Sequence, residues 1–528
     1  MNPRCDVIVI GGGHNGLVTA GLLAKRGVKV TVLERRHVVG GAAITETPWG
    51  PDYKMTALSY VVSLMPATVV HDLELARFGY KVFPQHPYFV PYEDGRHLKM
   101  CDDRARRREQ IAKFSARDAE EIDRWDDWLG TLGALLGPML MQVPPKLGSR
   151  RVKDLVGALG LAWRFRKLDE RGVGDLTRLM TMSVADLLEE RFESDQVRGV
   201  LSVSGVIGTW AGPRSPGTAY VMAHHKIGDL GEGPMGSWGF PEGGMGGVTQ
   251  AMRAAALHFG AEIRTACEVA KIRTTAGQVT GVTLANGDEL DADIVVATTH
   301  PKITFLSHLD RAELPEDFVT AIERWKTRSG TVKVNLALDR LPQFRGIAAD
   351  DLEALGGTIV LASSLDDIEG AFQDAVAGRP ARLPFADACI PSVFDRTLAP
   401  PGHHVMSMFT QWVPHGYAAA PHAAELAAYA DRLIARFEQV APGFTSSILH
   451  RQIIGPHEME TTYGLVGGNI FHGELSANQL FHMRPAPGYA DFTTPIRGLF
   501  QASSATHGGG GVTGIPALQV VRKLKKLT

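Results

Sequence analysis

The 528-residue sequence has few cysteines: Cys5, Cys101, Cys267 and Cys389 are the full set. No two of them form a Cys-x-x-Cys pair, which argues against a dithiol redox centre and against a structural zinc site. Sparse cysteine also fits a reducing compartment. Charge of neither sign is in excess, with 55 Lys and Arg against 57 Asp and Glu, a net of -2. Nucleic acid is therefore not the expected partner, because phosphate binding needs surplus positive charge. No apolar run reaches the roughly 18 residues of a membrane span. An apolar strand starting at Asp6 leaves no room for a secretory leader, so the expected location is cytoplasmic, with contact at a membrane surface still open. Repeats of solenoid length and long low-complexity tracts are also missing.

What is plentiful is glycine, 58 residues against a usual level of roughly 7%, and it is clustered. Clustered glycine lets backbone approach a ligand closely. Asp6–Ile10 reads as a buried parallel strand, Leu17–Arg26 as a helix and Lys29–Leu33 as a second strand. Between the first strand and the helix stands Gly11-x-Gly13-x-x-Gly16. Gly11 permits the tight turn, Gly13 the approach to a pyrophosphate, and Gly16 close packing of helix on strand. The helix N-terminus then faces the phosphates, and Glu34 at the end of the second strand can accept hydrogen bonds from ribose hydroxyls. NAD and FAD both use this pattern. Gly40-Gly41-Ala42-Ala43, shortly after the acid, lets the chain pass a second part of a longer cofactor.

Two further glycine clusters follow. Glu242–Gly247 opens a helix, and reads equally as a ligand contact or a plain entry turn. Gly498–Gly514 leads from a strand through four successive glycines, 508–511, into a helix that ends near Leu524. A helix start there can hold a developing anion. The spacing of Val512, Ile515, Leu518, Val521 and Leu524 argues for a docked helix over a flexible tail.

The length predicts two to four structural units, with enough chain for a large core without staples. Residues 100–230 read as mainly helical, with prominent stretches at Trp125–Met141 and Leu155–Trp163. Strands are expected at 262–265, 269–274, 279–284 and 291–297, with an Asn286-Gly287 hairpin turn. Val332–Leu338 alternates and reads as a half-buried strand of a second sheet, with 403–413 as its neighbour. Residues 146–171 carry eight basic and three acidic side chains beside Leu155, Val156, Leu159, Leu161, Trp163 and Phe165. Two readings fit that segment: a basic, apolar face for an anionic membrane surface, or a helix packed on the domain with solvated charges.

These glycine motifs, together with His224-His225, Gly243–Gly246 and the turn Gly467–His472, resemble the FAD-dependent oxidoreductases of the phytoene desaturase and amine oxidase type. More narrowly they resemble the branch named for a pyridine nucleotide-disulphide oxidoreductase domain, with members in animal mitochondria and in bacteria. The resemblance implies an α/β fold. A Rossmann-like FAD-binding domain of the glutathione reductase/amine oxidase type would span 1–100, 235–310 and 490–528. A discontinuous α+β substrate domain with a helical insertion would span 101–234 and 311–489. It implies FAD as cofactor, with Gly11, Gly13, His14, Asn15 and Gly16 on the pyrophosphate and Glu34 and Arg35 at the adenosine ribose. Gly40, Gly41, Ala42 and Ala43 would run past the ribityl and flavin, and the backbone of Val269 would meet adenine. Ser503, Gly511, Val512 and Thr513 would close over the ribityl and flavin. Gly508, where Pro is common, and Pro516 within the first helical turns depart from the pattern without removing a glycine.

Flavin does the hydride chemistry, so such an enzyme can work without a protein acid or base. Among the histidines near the flavin segments, His225 and His507 are the candidate catalytic residues; no metal site is expected. The implied activity is dehydrogenation or desaturation of an apolar, isoprenoid- or lipid-like substrate. The alternatives are isomerisation of a polyene without net redox change, or a flavin-bound regulatory protein. With no Cys-x-x-Cys and no second strand-linked glycine fingerprint, a disulfide reductase fed by NADPH is not expected, and electrons would pass to oxygen, a quinone or another acceptor. Oligomeric state stays open.

Overall fold

The computed structural model describes residues 4–146, 148–166, 168–228 and 236–527. In chain order the first strands are β1 (Arg4–Ile10), β2 (Val30–Leu33), β3 (His86–Pro91) and β4 (His97–Lys99). The middle of the chain adds β5 (Glu262–Arg264), β6 (Val269–Thr275), β7 (Gln278–Leu284) and β8 (Glu289–Ala297). Then come β9 (Thr331–Leu338), β10 (Gly357–Leu361), β11 (Phe385–Cys389), β12 (His404–Gln411), β13 (Ile448–Ile454) and β14 (Leu499–Gln501).

The first sheet runs β6-β7-β8-β1-β2-β5, with β14 joined to β8. Around β1 the pairing is parallel, and Ile10 lies beside both Leu33 and Ala297. These three strands thus end at one level, the edge where parallel sheets bind ligands. Helix α1 (His14–Ala24) packs against the later helices Met245–His258 and Ile515–Lys523. It is buried on every side from Asn15 to Ala24, which is why its sequence is apolar and small all round instead of striped. The C-terminal helix is therefore docked, as its apolar spacing predicts.

The second sheet runs β13-β9-β12-β11-β10-β3-β4 and is antiparallel except where β3 meets β10. β3 and β4 lie within the stretch 1–100 expected to belong wholly to the FAD domain. They correct that boundary to about residue 85, because pairing of β3 with a strand some 270 positions later leaves no local trace in sequence. β9 also corrects its expectation: every residue from Thr331 to Leu338 is buried. The alternation is real, but the face bearing Lys333 and Asn335 looks into the protein. Trp125–Met141 overlaps the longer helix Ala116–Leu140, whose C-cap is Met141, and Leu155–Trp163 falls within the helix Val152–Phe165.

Glu242–Gly247 is an entry turn. Gly246 donates its N–H to Thr45 Oγ1 at 2.9 Å, and Thr45 Oγ1 donates to the Gly243 carbonyl at 2.8 Å. The close neighbour these glycines admit is Thr45, not a ligand; a Cβ on Gly246 would stand 2.6 Å from the Thr45 nitrogen. No helix among the described residues is long and apolar enough to cross a membrane.

Candidate functional site

At the carboxyl edge of the first sheet the chain turns at Gly11, φ +100, and enters α1 with Gly13 as N-cap and no capping side chain. The free N–H groups of the first helical turn are thus left for an anion. A Cβ on Gly16 would lie 1.9 Å from the Gly11 carbonyl oxygen, so this glycine serves packing and does not itself line the cavity. Gly40 donates its N–H to the Gly12 carbonyl at 2.9 Å and holds the 40–41 turn across from Gly13. A Cβ on Gly41, itself at φ +59, would approach the Gly13 Cα to 3.3 Å and narrow the groove. Glu34 is buried, accepting from the Gly12 N–H at 2.7 Å and the Arg36 N–H at 2.9 Å. Each carboxylate oxygen has a second lone pair for a ribose hydroxyl.

The groove of about 1030 Å³ is lined by Gly11, Gly13, His14, Asn15, Glu34, Arg35, Gly40, Gly41, Ala42 and Val269. It holds most of the residues expected to bind FAD. Asn15 donates to Ser504 Oγ at 3.2 Å, while its buried Oδ1 finds no partner among the described residues. A buried acceptor left without a partner is costly unless a ligand completes it. This atom, with the glycine walls and the buried acid, fits a dinucleotide.

A second chamber, about 1190 Å³, shares His14, Ala42, Leu465, His472 and Ser504 with the groove. The shared lining sets the chamber directly beside the nucleotide groove. Its walls are largely apolar, with Leu58, Ile207, Trp238, Phe409, Met459 and Phe471 among them. Gly511 and Val512 line this chamber, as expected.

Besides Gly16, three expected contacts are displaced. Ser503 is fully buried and spends its hydroxyl on the Ala505 N–H at 3.1 Å; its neighbour Ser504 faces the cavity instead. Thr513 caps locally, donating to the Gly508 carbonyl at 3.1 Å, and Ala43 uses its carbonyl on Thr249. These three stand behind the cavity wall.

The histidines divide likewise. His225 lines the chamber, with Nδ1 against the Val221 carbonyl at 2.9 Å and its ring stacked on Trp238. The carbonyl contact makes Nδ1 a donor, and the Ser204 carbonyl also meets the ring. His507 lines neither space; its Nε2 meets the Met139 carbonyl at 2.9 Å and ties the C-terminal turn to the Ala116–Leu140 helix. Burial lowers the pKa of His225, and lowers that of His507 to about 4, so both rings are neutral at pH 7.

The sequence reading misses the most polar part of the chamber. Lys333, Phe409 and Asp387 form one cross-strand row on β9, β12 and β11. Lys333 Nζ donates to Ser407 Oγ at 2.6 Å and stands 3.8 Å from the centroid of the Tyr60 ring; Tyr60 donates to Asp387 at 2.8 Å. Burial depresses Lys333 to about 7 and raises Asp387 to about 6. The only trace in sequence is the lysine and asparagine on alternate positions of an otherwise apolar strand, a pattern that also describes a solvent-facing strand.

Comparison with known proteins agrees with this geometry. The pattern of the flavin containing amine oxidoreductases matches residues 204–514, and that of the NAD(P)-binding Rossmann-like domain matches residues 9–72. The chain is 37% identical to pyridine nucleotide-disulfide oxidoreductase domain-containing protein 2 of Rattus norvegicus, over 97% of this chain and 92% of the rat protein. It is 24% identical to the lycopene-forming phytoene desaturase of Pseudescherichia vulneris, over 97% and 96%. A solved structure of wild-type putrescine oxidase bound to putrescine shares the fold, with a TM-score of 0.62, 16% identity and 99% of each chain covered. The chain belongs to the flavin-containing amine oxidoreductase family and is an oxidoreductase whose cofactor is FAD.

Proposed function

We propose that this oxidoreductase dehydrogenates an apolar, isoprenoid- or lipid-like substrate. The observation that carries the reading is the continuity of a largely apolar chamber with the nucleotide groove through His14, Ala42, Leu465, His472 and Ser504. FAD supplies the hydride acceptor when bound. The chain's own residues hold and orient. The α1 N-terminus and Glu34 fix the dinucleotide end, and the aromatic and aliphatic walls exclude water from the reacting carbon. His225 offers an imidazole nitrogen at the wall, and the Lys333–Asp387–Tyr60 cluster offers one polar end to an otherwise greasy space.

Lys333 also argues about substrate charge. A di-cation such as putrescine would bring further positive charge beside a buried amine whose own charge burial already disfavours. A neutral hydrocarbon meets no such penalty. The name of the phytoene desaturase relative points the same way.

The test is anaerobic mixing of purified holoprotein with isoprenoid hydrocarbons, fatty acyl compounds and putrescine while recording the flavin absorbance. Bleaching by an apolar substrate, with formation of a new carbon–carbon double bond in the product, is the expected result. Bleaching by putrescine alone overturns the reading. Double-bond rearrangement without net bleaching replaces it with isomerisation.

A further inference from the structure

The helix α2 (Val152–Phe165) is amphipathic, and its more apolar side faces outward. The outward stripe is made of Val152, Leu155, Val156, Leu159 and Trp163. These are between 50% and 75% exposed, five of the twelve large exposed apolar side chains among the described residues. Their spacing puts them on one stripe about 100° wide. The opposite side carries Asp154, Ala158, Leu161 and Phe165, all half-buried, and Gly157 there sits against Pro145. Leu161 and Phe165 thus pack inward, as one of the two readings of this segment expects, while the rest of the apolar set does not.

Arginines border the stripe. Arg150, Arg151 and Arg166 are exposed, as is Arg171 just beyond, and none of the four forms an ion pair among the described residues. Arg166 lies 3.5 Å over the Trp163 ring. The nearby acids are tied to local groups, Asp154 to the Ser149 hydroxyl at 2.5 Å and Asp169 to the Gly172 N–H at 2.8 Å. Lys146 is engaged with Asp491 at 3.5 Å. Lys167 and the side chain of Lys153 lie outside the described residues.

We infer that this helix is a docking surface for an anionic lipid bilayer. An apolar stripe with an aromatic end and flanking cations inserts shallowly among headgroups, its cations meeting lipid phosphates. A second copy of the chain is a poorer occupant. Symmetric pairing through this face would bring the same arginines against their own copies. The inference stands apart from the substrate reading, since docking requires only the surface described.

Flotation of the holoprotein with phosphatidylcholine vesicles, and with vesicles containing phosphatidylglycerol, tests it. Binding at least tenfold stronger to the anionic vesicles is expected at about 50 mM salt, falling steeply by about 500 mM. Leu155→Glu/Leu159→Glu should lower that binding by about tenfold or more with flavin content and melting temperature unchanged. Arg150→Gln/Arg151→Gln should lower it by about tenfold and flatten the salt dependence. No binding to anionic vesicles at low salt overturns the inference. So does binding that survives the glutamate pair, or a dimer in sedimentation that the glutamate pair dissociates while vesicles bind neither form.

Discussion

Replacing Lys333 with Met removes an amine that the fold holds in a dry place. The unfolded value is 10.5 and the folded value about 7. Between these pH values the unfolded chain binds more protons, so stability rises with pH across that window. Linkage puts the cost of the lysine at about 4 kcal/mol at pH 7 and about 2 kcal/mol at pH 9. Met is nearly isosteric and carries no such cost. Ser407 keeps its bond to Asn335 at 3.2 Å, so no hydroxyl is stranded. Lys333→Met should therefore melt higher than the parent by roughly 4 °C at pH 7, with the gap about halved at pH 9. Turnover should fall in the same variant, because the amine lines the chamber. Thermal unfolding followed by tryptophan fluorescence from pH 6 to 9 measures both the shift and its slope. An unchanged or lower melting temperature at pH 7, or a gap that widens toward pH 9, would refute the reasoning.

Four other outcomes are expected. Glu34→Ala should weaken FAD binding about tenfold to hundredfold and Glu34→Gln less, read by flavin fluorescence titration. Gly13→Ala should leave a folded protein with little flavin, whereas Gly16→Ala, whose Cβ would stand 1.9 Å from a carbonyl oxygen, should lower the melting temperature itself. His225→Phe should cut turnover, while His507→Phe should retain it and melt lower, by the loss of its bond to Met139. Acid or heat precipitation should release yellow cofactor into the supernatant, since FAD is expected to be held without a covalent link.

The nucleotide half of the site is legible in sequence because its chemistry is local. Gly11 to Gly16, Glu34 and Gly40–Gly41 lie within about 30 residues of one another, and positive φ at Gly11, Gly40 and Gly41 and the 1.9 Å approach at Gly16 single out glycine there. The substrate half is not legible for the same physical reason turned round. Lys333, Asp387 and Tyr60 meet only when strands far apart in sequence align, and a lysine alternating with valines looks the same whether its face meets water or a chamber. The choice between Ser503 and Ser504 fails on a smaller scale, as two adjacent serines differ only in which way the turn points them. His507 sits beside the flavin motif in sequence, but its ring turns toward the Ala116–Leu140 helix.

The nucleotide groove is closed by a bond between Asn15 and Ser504, 489 positions apart. During synthesis the first strand, the glycine turn and α1 emerge early and wait for nearly the whole chain. β14 and the helix after it must then add to a sheet that already has its other strands. Such a late, long-range closure is slow and leaves an unfinished sheet edge open to aggregation. Cofactor captured at that stage would act as a clasp between the two ends of the polypeptide, so flavin supply during expression should govern the yield of soluble protein as well as its colour.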